Sequence, residues 1–331
     1  MRTRRKHDHP GPGKARRKGL SIVQLIRRFP DDKHAEDWIA ALRWPHGPSC
    51  PHCDSTNVQS GAKHPNMSYR CRKCRKFFSL RTGTVMQNSN LGAQKWVIAA
   101  YMLTTNLKGD SSMKLHRDLD ITQKSAWHLA HRIRETWDRS EGRFAGPVEV
   151  DETYLGGKRK NMPKHVREQL TGRGPVGKAA VVGARDRATK RVVAKAVEST
   201  DKHTLQGFVK DSAQRHATVY SDEASAYETL PFAHEAVQHS VSEYVRGQAH
   251  TNGLESFWSM LKRGYVGTYH KMSPKHLQRY VNEFSGRHNE RPADTLEQME
   301  GTMLRMIGKR LRYKDLKRAN GRDSGAREMA P

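Results

Sequence analysis

Three acidic residues set out the possible chemistry. Asp151 follows Val148-Glu149-Val150, Asp222 follows Thr218-Val219-Tyr220-Ser221, and Glu255 lies within the segment from Thr251 to Lys262. Carboxylates carried by two strand ends and one helix can bind two divalent cations. Such a pair, about 3.5–4 Å apart, activates an attacking hydroxyl and stabilises the leaving oxygen at a phosphodiester. In the third segment Leu254, Phe257, Trp258 and Leu261 fall at i, i+3, i+4 and i+7, the apolar stripe of a helix. At 100° per residue, Glu255 and Lys262 lie about 20° apart on one flank of that stripe. A carboxylate and an ammonium able to meet a phosphate thus face the same cleft. The chain has 34 acidic residues, so pattern alone does not single out these three. Glu149, Glu152 and Glu223 are expected as exposed strand-end charge, His239 and His250 as core or loop histidines, and Trp258 as core.

A second constellation is metal-binding in type. Cys50-Pro-His-Cys53 and Cys71-Arg-Lys-Cys74 are separated by seventeen residues, and the chain has no other cysteine. Two Cys-x-x-Cys knuckles at this separation match a four-thiolate zinc site, with each knuckle turning two sulfurs toward one tetrahedral ion. A strand pair over Tyr69 to Phe78 completes a zinc ribbon. His52 is left out of the ligand set because four thiolates already close a structural site. Clustered cysteines fit a reducing compartment rather than disulfide staples. Arg70, Arg72, Lys73, Arg75 and Lys76 crowd the second knuckle and suit phosphate contact.

The elements that must hold these residues follow from the periodicity. Short Val-rich strands over 147–154, 178–185, 190–197 and 217–221, with helices over 201–214 and 252–265, make a mixed α/β domain. Helices are expected over 20–42 and 94–137. Within the latter, Ser111 to Leu119, a turn, and Gln123 to Trp137 behind the N-cap Thr122 read as a helix-turn-helix. His128, His131, Arg132 and Arg134 are mixed among the apolar residues of the second helix, and the pair reads as a DNA reader, with plain packing as the alternative. Gly172 to Ala179 nearly spells a phosphate loop. Ala179 stands where a Ser or Thr should hold magnesium and a strand-like run follows, so nucleotide hydrolysis is not expected.

The whole chain of 331 residues carries 60 Lys+Arg against 34 Asp+Glu, a net charge of +26. That imbalance points to a polyanion partner. The longest apolar run, Trp96 to Leu103, is eight residues, far short of the roughly 18 of a membrane span. No secretory leader is read in the basic, Gly/Pro-containing start.

Three stretches then carry a resemblance: Val-Glu-Val-Asp151-Glu-Thr-Tyr-Leu-Gly-Gly-Lys, Tyr-Ser-Asp222-Glu-Ala-Ser-Ala-Tyr, and His250-Thr-Asn-Gly-Leu-Glu255-Ser-Phe-Trp-Ser-Met-Leu-Lys262-Arg-Gly. With Tyr280-Val-Asn-Glu-Phe and Arg287-His-Asn289-Glu-Arg291 further on, the chain resembles the ISXO-like insertion-sequence transposases over roughly residues 20–295. The resemblance implies a zinc ribbon followed by a DDE domain of RNase H-like fold, a mixed sheet flanked by helices. It implies Asp151, Asp222 and Glu255 as ligands of two magnesium or manganese ions, with Lys262 on DNA. Some members carry Asn or His at the third position, so Asn252 is the alternative ligand. Glu255 is favoured because a carboxylate holds magnesium better than an amide, and Asn252 is then a helix cap.

The expected organisation is a basic disordered arm (1–20), a helical segment (21–44), the zinc ribbon (45–82) and a helix-turn-helix region (90–140). The RNase H-like catalytic domain (145–295) and a basic C-terminal tail (296–331) follow. The implied activity is binding of terminal inverted repeats, metal-dependent cleavage, and strand transfer to target DNA. It would be carried out by a dimer or larger assembly in the bacterial cytoplasm at the nucleoid, with no membrane partner. Two rivals stay open. A binding-only regulator would bind DNA without cutting it, and a nuclease on the same fold would cut without joining.

Overall fold

The computed structural model describes residues 17–138, 142–157, 159–170, 176–222, 225–227, 229–237, 252–319 and 327–328. The basic arm therefore lies outside the described residues except for 17–20, as do Glu223, His239 and His250. The chain divides into two compact units, the described parts of 1–105, 290–310 and 328–331, and those of 106–289 with 311–327. Among the described residues no helix is long and apolar enough to cross a membrane.

In the first unit, α1 (Ile22–Arg28) starts in a capping box between Ser21 and Gln24, and α2 (Asp32–Arg43) starts on Asp31. Strands β1 (Val58–Ser60), β2 (Tyr69–Cys71) and β3 (Phe77–Phe78) form an antiparallel ribbon. Trp44, ending α2, packs edge-on against Tyr69 and Phe78 and so ties the ribbon to the helix. Helix α3 (Ala93–Thr105) contains the eight-residue apolar run, and most of its residues are buried. Helix α10 (Thr295–Leu304) packs on α2 and α3 through buried Met299 and Met303. The start of the expected basic tail is thus a core helix. Its methionines carry the apolar face, and the basic residues of the tail begin only beyond it.

The second unit centres on a five-stranded sheet in the order β6-β5-β4-β7-β8. Its strands are β4 (Val148–Leu155), β5 (Ala179–Asp186), β6 (Val192–Val197), β7 (Thr218–Asp222) and β8 (Ala233–Val237). The pairs β4–β5 and β5–β6 are antiparallel, and β4–β7 and β7–β8 are parallel. Strand side chains alternate between faces. Val148, Val150, Ala180, Val182 and Val219 meet Leu205, Phe208 and Val209 of α7 (Lys202–Ser212). On the other face Val181, Val192 and Ala194 meet Leu254, Phe257 and Leu261 of α8 (Asn252–Gly264), and Leu277, Val281 and Phe284 of α9 (Pro274–Glu290). The four strands expected from valine content form. β8 was not expected, because Ala233–Val237 carries only a short apolar signal interrupted by His234 and Glu235. A strand, not a helix, follows Lys178, as the reading against a phosphate loop requires. The loop before it carries a short helix, α6 (Lys164–Gln169).

Helix α9 also finishes the edge of the sheet. Gln278 Oε1 accepts from Ala196 N–H (2.7 Å) and its Nε2 donates to Ala194 C=O (3.2 Å). Asn289 does the same for Val192, at 2.7 and 2.9 Å. Side-chain amides thus take the places of a neighbouring strand's peptide groups.

Helices α4 (Ser112–Leu119) and α5 (Gln123–Arg134) are joined by a tight turn with Asp120 left-handed at φ 47° and Thr122 accepting from Ser125 N–H (3.2 Å). The basic residues mixed into α5 follow the packing alternative. His131, Arg132 and Arg134 are buried, and Arg134 pairs with fully buried Glu283 at 2.6 Å. Arg279 and Glu135 form a second buried pair. These cations balance acids inside the unit. Only the first turn of α5, with Gln123 and Lys124, is exposed.

Candidate active site

Asp151 and Glu149 are two residues apart on β4, so both point to the α8 face. The parallel register pairs Val148 with Val219 and Glu149 with Tyr220. Carried forward, that offset sets Asp222 level with Asp151 on a strand about 4.8 Å away. Asp151, Glu152, Glu255, Trp258, Lys262 and Arg263 line one cleft of about 500 Å³. Burial, then the nearby charges of Asp222 and Glu152, push the Asp151 carboxyl up to about 7. Burial also raises Glu152, which accepts from Tyr227 Oη at 2.8 Å. Glu255 and Lys262 are exposed on the cleft side of α8, as their angular spacing predicts. The ligand atoms of Asp151, Asp222 and Glu255 do not all come within 4.8 Å of one another; among the described residues only the cysteines form such a group. Asn252 begins α8, and its side chain lies outside the described residues.

Two positioning groups escaped the sequence reading. Trp258, expected as core, is buried, but its indole N–H donates to Asp151 Oδ2 at 2.9 Å, while Glu152 N–H donates to Asp151 Oδ1 at 2.8 Å. Gly183 faces Asp151 across the β4–β5 pair, and a Cβ there would lie 2.7 Å from Trp258 Cζ2 and Cη2. A lone glycine inside a Val-rich strand was the available signal for this close approach. Glu149, expected as exposed charge, is instead 0% exposed. It accepts from Arg185 (3.1 Å), Arg187 (3.0 Å) and the backbone N–H of Leu254 (3.1 Å) in the first turn of α8. A buried carboxylate at a helix N-terminus satisfies N–H groups that the helix itself leaves open. It fixes the helix of Glu255 to the strand of Asp151. A Cβ on Gly253 would collide with Arg185 Nη1 and Glu149 Oε2, so that glycine makes room for the clasp.

The cysteine cluster lies in the first unit. Cys50 and Cys74 sulfurs are 3.6 Å apart, and those of Cys53 and Cys71 are 3.7 Å apart. A tetrahedral ion with Zn–S of about 2.3 Å needs edges of about 3.8 Å, so the four thiols fit zinc. The knuckles share one geometry. Cys50 N–H donates to Ser55 C=O and Cys71 N–H to Lys76 C=O, both at 3.0 Å, and left-handed Asp54 and Arg75 follow each second cysteine. Burial pushes the Cys50 thiol up to about 12, whereas the N–H of Cys74 on Cys71 Sγ draws that thiol down to about 6. His52 is exposed and outside the group.

With this geometry in place, comparison with known proteins is direct. Residues 143–289 match the family described as ISXO2-like transposase domain, and residues 30–77 match the transposase zinc-ribbon domain. The chain belongs to this family of insertion-sequence transposases. Among relatives, it is 30% identical over 273 residues to an uncharacterized protein in transposable element ISH50 of Halobacterium salinarum, covering 78% of this chain and 91% of that protein.

Proposed function

We propose that the chain is a DDE transposase whose catalytic domain is RNase H-like. In this reading it binds the terminal inverted repeats of its element, cleaves the DNA there, and joins the freed end to target DNA by transesterification. The observation that carries this reading is the state of Asp151. Its carboxyl, held by Trp258 and Glu152 N–H, is raised to about 7 by burial and by the negative charge of Asp222 and Glu152. Excess negative charge of that kind is relieved by a hard divalent cation. Asp151, Asp222 and Glu255 would hold two magnesium or manganese ions, which supply, when bound, a more acidic attacking hydroxyl and charge neutralisation at the leaving oxygen.

The chain's own groups supply position. Trp258 fixes the orientation of Asp151, and Glu149 fixes the helix that carries Glu255. Lys262 and Arg263, on the cleft side of α8, face the phosphates of the bound strand. Cys50, Cys53, Cys71 and Cys74 would hold a structural zinc, and the exposed cations around the second knuckle face DNA. Pairing of two element ends calls for a dimer or larger assembly.

The test is a strand-transfer assay with labelled element ends, a plasmid target and magnesium, comparing wild type with Asp222→Asn. Joined product from the wild type alone is expected, and Asp151→Ala should abolish cleavage while sparing end binding. Cutting without joining would point to a nuclease, and binding without cutting to a regulator.

A further inference from the structure

The stretch after Leu311, basic in sequence and expected as a tail, is folded onto α5. Leu311 and Leu316 are buried at 1% and 0% exposure, and the Leu311 carbonyl accepts from Arg132 Nε at 3.1 Å. Helix α11 (Tyr313–Lys317), which carries Leu316, places the Tyr313 ring edge-on to Trp127 and His128. That burial decides where the charges go. Lys314, Lys317 and Arg318 are exposed, and with the Arg312–Asp315 ion pair they line a concavity of about 420 Å³. Lys124, exposed in the first turn of α5, sets its Nζ 4.7 Å from the centre of the Tyr313 ring, and Lys317 lies at 5.5 Å. One tyrosine therefore gathers cations from two elements into a single basic face.

We propose that Lys124, Lys314, Lys317 and Arg318 form a docking surface for the phosphate backbone of duplex DNA. None of the residues lining the acidic cleft belongs to it. The inference rests on the reading that the chain works on DNA. The cleft sets Asp151, Glu152 and Glu255 against only Lys262 and Arg263, so a firm hold on duplex DNA calls for further cations beyond it. The cations here are carried on ordered elements with buried apolar supports, and they spread over two helices, which suits a run of phosphates rather than one anion. The exposed start of α5, beside its N-cap Thr122, is also the end of a second helix that such helix pairs present to a duplex.

The test uses the full chain and fluorescence anisotropy with a 30-base-pair duplex between 50 and 200 mM salt, without divalent cations. Lys314→Gln/Lys317→Gln/Arg318→Gln is compared with wild type, with the corresponding Glu variant as a stronger second form. Loss of three phosphate contacts is expected to make the slope of log K against log salt shallower by about 2.7. It should also weaken binding at least tenfold, equally for element-end and random duplexes. Wild-type melting temperature in the Gln variant would assign the loss to charge. Unchanged affinity and slope in both variants would overturn the proposal, as would a loss confined to single-stranded RNA of the same length. None of the three substituted residues lines the cleft of Asp151. A failure of the patch variants therefore leaves the cleavage reading standing, while a wild type that binds no duplex at all overturns both.

Discussion

Asp151 is held from two directions, and each hold is a separable residue-scale effect. Trp258→Phe removes the indole N–H and keeps most of the ring. Loss of such a supporting hydrogen bond is expected to lower metal affinity or cleavage about 10–100-fold with little change in melting temperature, read by manganese titration beside a melt. Gly183→Ala acts on the same pair by crowding. Its Cβ would sit 2.7 Å from two indole atoms, so it should cost about 1–3 kcal/mol of stability and also impair cleavage. Glu149→Ala leaves Arg185 and Arg187 without their shared carboxylate in a buried setting. Breaking such a pair costs about 3–5 kcal/mol, measurable by urea denaturation. Glu149→Gln, which can still accept from Leu254 N–H, should recover part of that loss. The two readings of Glu149 show what the residue string hides. An acid beside valines on a strand looks solvated until its partners are known, and Arg185, Arg187 and Leu254 are 36 to 105 positions away.

At the scale of elements, the readable parts were those whose signal is local. Alternating valines marked β4 to β7, the i, i+3, i+4, i+7 stripe marked α8, and the two knuckles marked the ribbon. What was not readable depends on neighbours. β8 exists because β7 offers it a parallel edge; α10 buries Met299 and Met303 among neutral and acidic residues, and α11 buries Leu316 among basic ones. The cations of α5 looked like a DNA face and are instead partners of Glu283 and of the Leu311 carbonyl. The ribbon gives a test at this scale. Its strands are two or three residues long, too short to stand alone, so a chelator should unfold it, as in other small zinc modules. Limited trypsin digestion after chelation is expected to cut between Arg70 and Lys76 while the sheet strands β4 to β7 stay protected. Protection of both would count against a structural zinc.

For the whole molecule, acid is the expected weakness. Burial pulls His128 and His276 down to about 4 from the usual 6.5, with nearby Arg and Lys charges adding to it, and His131 is drawn well below its usual value beside Arg134 and Arg279. Unfolded, these histidines take up protons near 6.5; folded, His128 and His276 resist until about 4, and His131 is held neutral in the same direction. At these sites the unfolded state therefore binds more protons in that window, and the histidines' contribution to stability falls as pH drops from 6.5 toward 4. Melting temperatures at pH 7.5, 6.0 and 5.0 should show this decline, and His276→Gln should reduce its slope. A chain of charge +26 that gathers on DNA also meets its own copies at high local concentration. There the amides of Gln278 and Asn289 have a further effect. By occupying the N–H and C=O of Val192, the C=O of Ala194 and the N–H of Ala196, they interrupt the template along which a second chain's strand would zip. Copies crowded at that border meet an edge whose ladder is interrupted, so strand-to-strand pairing along it is disfavoured.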